Sequence, residues 1–282
     1  MDLYVAIAEE DSISVISTSD MHEIRKIYAP GGPRRLIYHR NKLYCTASEA
    51  SCVLCIDIGN GKKTFIPVGS YPIGICAIKD HLYVSCGESN SIWRIDTRKR
   101  RPAICNATGA FPICICVADN KVLCACMLCG NVSIFDIDLE SRKDVPITGI
   151  PLCLDSGVCD VMVGSLLGNG KGLISVISPL GNMKQCMETE FPSATIKTLR
   201  CGNMAVIAHV WHDRISMVDL DSGETCWTVP SSRMPDDIAI DESEGSFYVS
   251  CMLDNCVEKY TLNGELLQRR STGKEPRGLA LV

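Results

Sequence analysis

What this 282-residue sequence lacks narrows it first. No apolar run reaches the ~18 residues that a membrane-crossing helix needs. The amino terminus, MDLYVAIAEEDS, has no basic leader and no long apolar core, which predicts no secretion signal and a cytoplasmic protein. Positive charge is not in excess: 28 Lys and Arg stand against 33 Asp and Glu, a net charge of −5. That balance argues against a general nucleic-acid or anionic-membrane surface and leaves only local basic runs to meet phosphate. Catalytic signatures are missing too, with no nucleophile elbow, no glycine-rich phosphate loop and no HExxH. No cofactor is implied.

What is there is a repeat, and the prolines display it. Pro33, Pro72, Pro112, Pro151, Pro192, Pro235 and Pro276 are spaced 39, 40, 39, 41, 43 and 41 residues apart. Each opens a short apolar stretch, such as PIGICAI, PICICV or PRGLALV. About ten residues on comes a second strand-like triplet, for example Leu82-Tyr83-Val84 or Phe247-Tyr248-Val249. A third segment ends in Asp, Ser or Thr (VLCID, IWRID, ISVIS), and a more polar fourth often closes on Gly. Four short strands per unit of this length describe a propeller blade. The last proline begins one inner strand and the chain stops, whereas the amino terminus begins with a second strand. The blades therefore fall at 33–71, 72–111, 112–150, 151–191, 192–234, 235–275, and 276–282 joined to 1–32. The expectation is an all-β, seven-bladed β-propeller with four antiparallel strands per blade, closed by its two ends.

The stretch LYVSCGESNSIWRIDTRKRRPAICNATGAFPICICVADNKV also resembles the YVTN repeat. That pattern is a strand Tyr-Val-Thr/Ser, an Asp/Asn-rich turn, a strand ending Ile-Asp, then Gly-x-x-Pro. The resemblance to the YVTN-repeat, YncE-like family runs over essentially the whole chain, with blades four and five more divergent. It implies the propeller fold. It says little about activity, since such propellers include surface-layer proteins, DNA-binding proteins and relatives of lactonases. Many are exported, a point from which this amino terminus departs.

Eighteen cysteines demand a reading of their own. In a reducing compartment they are expected to be free thiols, behaving as small hydrophobes. The repeat acts as a control. Cys45 and Cys124 stand where sister blades have Val; Cys76, Cys86, Cys114, Cys116, Cys126, Cys153 and Cys251 replace Ile, Ala, Gly or Ser; Cys55 replaces Val, Ile or Met. These ten read as core. The run Cys124-x-Cys126-x-x-Cys129 has metal-like spacing, but its nearest potential partner pair, Cys52 and Cys55, lies two blades away, so no metal is expected. Cys52, Cys105, Cys129, Cys159, Cys186, Cys201, Cys226 and Cys256 are placed on turns or outer strands, partly exposed. They motivate one alternative role, a cysteine-rich building block of a cross-linked layer such as a spore coat.

Ligands of propellers bind at the mouth of the central channel. The residues after each proline line that mouth, and they are bland in blades two to five. In blades six, seven and one they are charged: Asp236 and Asp237, Glu275 and Arg277, Arg34 and Arg35. Among the loops on that face, Val210-Trp211-His212-Asp213-Arg214 offers an aromatic anchor in Trp211 and His212. His209 and His212 lack a third ligand, and the basic run Arg98–Arg101 reads as a solvated hairpin. The candidate ligand-binding residues are thus Arg34, Arg35, Asp236, Asp237, Arg277, Trp211 and His212. The expected function is a non-catalytic scaffold whose partner is a protein or a small polar ligand, neither nucleic acid nor membrane. A lactonase-like hydrolase at the same mouth is the enzymatic alternative.

Overall fold

The computed structural model describes residues 1–99, 101–200 and 203–282. Seven four-stranded antiparallel sheets account for the architecture, each running from an inner strand at the channel to an outer strand at the rim. The inner strands are Pro33–His39, Pro72–Ile78, Pro112–Ala118, Ile150–Ser156, Thr195–Thr198, Pro235–Asp241 and Pro276–Leu281. The last of these pairs with Asp2–Ile7, so carboxyl- and amino-terminal segments share one blade. Asp2 and Val282 exchange backbone hydrogen bonds of 2.8 and 2.9 Å at the seam. Among the described residues no helix is long and apolar enough to cross a membrane.

The alternation of side chains along each strand gives every blade two apolar faces, and those faces pack on neighbours. Seven apolar clusters result, one between each adjacent pair of blades. The seam is packed like the others, with Tyr4, Ala6 and Val15 against Leu36, Leu43 and Leu54. The second-strand tyrosines Tyr4, Tyr44, Tyr83 and Tyr248 are fully buried in these joints. The hydroxyl of Tyr83 donates to Ile137 O of blade three, and that of Tyr248 to Thr18 O of blade seven.

The polar letters of the repeat each perform a backbone task. The Asp that ends a third strand accepts two N–H groups of the turn that follows: Asp57 from Gly59 and Asn60, Asp96 from Arg98 and Lys99, Asp219 from Asp221 and Ser222. The residue before the proline adopts the left-handed conformation in Tyr71, Phe111, Met234 and Glu275 (φ 56, 53, 56 and 59°). Such backbone is uncommon for these residue types. In three of them an Asn or Asp of the preceding blade accepts the N–H: Asn90 from Phe111, Asp213 from Met234 and Asn255 from Glu275. The Thr or Ser of the Tyr-Val-Thr/Ser pattern ties blades together. Thr46 accepts the Arg35 N–H at 2.9 Å and donates to Ile73 O of the next blade; Ser250 does the same between Asp237 N and Arg277 O.

Immediately after the proline, the register between inner and second strand shifts in every blade but five. A bulge leaves one residue unpaired and re-aims its neighbours. Here it presents both residues after the proline to the channel, which is why Arg34 and Arg35, or Asp236 and Asp237, share one wall.

Candidate functional site

The channel opens into a cavity of about 520 Å³, within the size range of small-molecule sites. Its wall has two halves. On one side stand Arg34, Arg35, Asp236, Asp237 and Arg277 from blades six, seven and one, as expected from the sequence. Facing them are Ile73, Ile75, Ile113, Ile115, Leu152 and Leu154 from blades two to four.

The charged half is a connected network. Arg35 Nη1 lies 2.5 Å from Asp236 Oδ2 and 3.9 Å from Asp237 Oδ2, and Arg277 Nη1 lies 3.5 Å from Asp236 Oδ1. Arg277 also pairs with Glu275. Asp237 accepts the backbone N–H of Leu279 at 3.0 Å, so it holds blades six and seven together. Burial alone would pull the Arg35 guanidinium down, but Asp236 and Asp237 more than offset it and hold it raised. Burial likewise pushes Asp236 up, yet Arg35 and Arg277 keep it below the usual carboxylate range. Arg34 differs from its neighbour. Its Nη1 donates to the Tyr71 hydroxyl at 3.0 Å and its guanidinium lies 5.5 Å from that ring's centre. Burial, then the nearby Arg277, lowers its pKa. Gly278 makes room for this corner: a Cβ there would meet Arg34 O at 2.4 Å.

Two charged residues of the wall escaped the sequence reading. Lys197 Nζ lies 3.6 Å from Asp155 Oδ1. The Asp155 carboxylate also accepts from Thr198 N and Oγ1 at 2.8 and 2.7 Å. Asp155, then burial in the opposite sense, sets the Lys197 ammonium, which ends raised. Both stand in the one inner-strand column that is otherwise Ile37, Cys76, Cys116, Ala239 and Ala280, and that contrast was the available signal.

Of the two loop anchors, Trp211 lines the mouth and is 55% exposed. His212 does not reach it; its ring packs 4.5 Å from Phe191. His209 is buried, with Nδ1 3.1 Å from Pro192 O and Nε2 2.9 Å from Ser216 Oγ. His209 is thus a satisfied buried residue, while His212 is an exposed loop residue packed on Phe191 outside the cavity lining. Among the described residues no group of three His, Cys, Asp or Glu side chains is placed to hold a metal. In the basic hairpin Arg98 pairs with Asp80 at 3.2 Å and Lys99 with Asp96 at 3.9 Å. Arg100 lies outside the described residues, as does Cys201.

The cysteines divide more finely than their columns suggest. Cys45, Cys55, Cys86 and Cys124 are buried in the blade joints. Cys76, Cys114, Cys116 and Cys153 form part of the channel wall. Burial pushes all four of those thiols up, so they line the cavity in protonated form. Cys126 and Cys251, taken from sequence as plain core, end their second strands in a polar seat shared with His209. Cys126 Sγ is 3.4 Å from Ser133 Oγ, and Cys251 Sγ is 3.6 Å from the buried Glu258 carboxylate. A hydrogen bond from Cys124, with burial opposing and Ser133 assisting, holds Cys126 down to about 6. Cys52 and Cys256, expected to be partly exposed, open third strands and are buried. Cys105, Cys129, Cys159, Cys186 and Cys226 are exposed. Cys129 accepts the Ala110 N–H at 3.0 Å, as Asp254 and Glu10 accept those of Arg233 and Lys274 two residues before their own prolines.

No protein-family model matches the chain, and no curated protein matches it. Solved structures do. A functionally unknown protein from Desulfotomaculum acetoxidans DSM 771 superposes with a TM-score of 0.86 at 12% identity, over 99% of this chain and 98% of its own. Kuenenia stuttgartiensis hydrazine synthase matches with a TM-score of 0.79 at 13% identity, over 87% of this chain and 88% of its own. The computationally designed Ika8 protein follows at 0.71 and 13%, over 96% and 85%. None of these singles out the YVTN-type family. Likeness at such identity shows the fold alone, a seven-bladed β-propeller.

Proposed function

We propose that this protein is a binding module that takes a small ligand into the mouth of its central channel. The observation that carries this reading is the division of one 520 Å³ cavity into a charged wall and an apolar wall. A concave, mostly apolar site with a few convergent polar groups is the usual form of a small-molecule site. Binding fits the wall better than catalysis does. Asp236 is held ionised by two arginines, opposite to the tuning of a general acid. The channel thiols are held protonated, opposite to the tuning of a nucleophile.

A plug tests the reading. Ile113→Trp adds bulk to the apolar wall without touching a charge. Compounds that raise the melting temperature of the wild type in a small-molecule screen are expected to lose that effect in the plugged variant. A screen with no stabilising compound, or stabilisation that survives the plug, overturns the assignment.

A further inference from the structure

Within the cavity wall every cation but one faces a carboxylate. Arg35 and Arg277 share Asp236, and Lys197 has Asp155. Arg34 makes no ion pair among the described residues, and its Nε is buried without a hydrogen-bond partner. A charged donor left unmet in a part-buried site is costly, and the cost is removed by whatever acceptor arrives. Beside it, the Tyr71 hydroxyl accepts from Arg34 Nη1 and keeps its own proton to donate. Arg34 itself lines the cavity, with Tyr71 held behind it outside the lining. The wall carries four cations (Arg34, Arg35, Lys197, Arg277) against three carboxylates (Asp155, Asp236, Asp237); Glu275, the second partner of Arg277, stands outside it. With Glu275 counted the network is balanced in number, and the wall charge that meets no carboxylate in an ion pair is that of Arg34. Opposite, Ile73, Ile113 and Leu152 with the protonated Cys114 and Cys153 offer no group that a polar tail would satisfy.

We infer that the channel ligand is an amphiphilic organic anion, its single carboxylate on Arg34 and its apolar body against the inner strands of blades two to four. The inference rests on the channel-binding reading above and names the ligand class. Arg35 is excluded as the receiving group because its carboxylates already occupy it; Arg34 is the group left open.

Isothermal titration calorimetry on the full chain with hexanoate, octanoate, decanoate, decan-1-ol and decyltrimethylammonium decides it. Decanoate is expected to bind tightest, and each added methylene in the carboxylate series to tighten binding about fourfold. Arg34→Met is expected to weaken decanoate at least about tenfold and to leave decanol unchanged. Ile113→Trp is expected to remove both. If decanol or the cation binds wild type as tightly as decanoate, the anion assignment falls while the channel site stands, and this comparison needs no variant. Absence of decanoate binding also sinks the assignment. Binding of decanoate that Ile113→Trp does not disturb puts the ligand elsewhere, and the channel reading falls with it.

Discussion

Arg34 and Arg35 are adjacent, identical in type and both aimed at one cavity, yet their surroundings give them different work. Arg35 is the centre of a part-buried ion network that spans blades six and one, with Asp236 at 2.5 Å. Removing it leaves Asp236 with Arg277 alone and Asp237 with only the Leu279 N–H among the described residues, and breaking a buried pair from one side costs up to about 3–5 kcal/mol. Arg35→Met should therefore lower stability by that order in denaturant titrations. Arg34→Met, which frees no carboxylate, should change it by less than about 1 kcal/mol. Equal losses in the two variants would show the contrast to be false. Cys129 makes a similar point: its sulfur accepts a backbone N–H where sister loops use a carboxylate.

At the level of the strand, the second strand ends in a polar or polarisable residue in blades two, three, five and six: Cys86, Cys126, His209 and Cys251. In blade five His209 is held neutral by burial with its pKa lowered to about 4 from 6.5. Between those two values the unfolded chain binds the proton and the folded chain does not. Stability therefore rises with pH across that window and is lost as pH falls from 6.5 towards 4. For a group only 2% exposed, the full window is worth about 3 kcal/mol. His209→Gln should remove this component, read as a smaller difference in unfolding free energy between pH 7 and pH 4.5 than the wild type shows. A variant with the wild-type pH dependence would assign that dependence to other groups.

For the whole molecule, stability depends on closure. Pro276–Leu281 supplies the inner strand to a sheet whose other three strands come from the amino terminus. Leu279 and Ala280 are buried in the two joints that flank it. A chain ending at residue 275 would leave a second strand unpaired at the channel and open both joints. It should lose at least about 5 kcal/mol from the lost side-chain burial and strand hydrogen bonds, with a tendency to aggregate seen by light scattering. A truncated chain that melts like the intact one would mean the seam contributes little. The same closure brings the charged residues of blades six, seven and one side by side, so assembling the site and closing the ring are one event.

Much of this was legible in the chain itself. The spacing of seven prolines specified blade number and ring closure, because a proline begins five of the inner strands and stands within three residues of the start of the other two, and local turn chemistry recurs with it. The columns of the repeat also placed Arg34, Arg35, Asp236, Asp237 and Arg277 at the channel mouth. Other features needed the folded ring. Asp155 and Lys197 meet only because neighbouring inner strands stand side by side, and their separation of 42 residues hides the pair. His212 was expected at the mouth but packs on Phe191, since a loop's direction depends on what lies next to it. Which arginine is already occupied and which is open was decided by tertiary structure alone. Residue type sets a charge, but only packing across blades determines how many partners that charge finds and whether water reaches it.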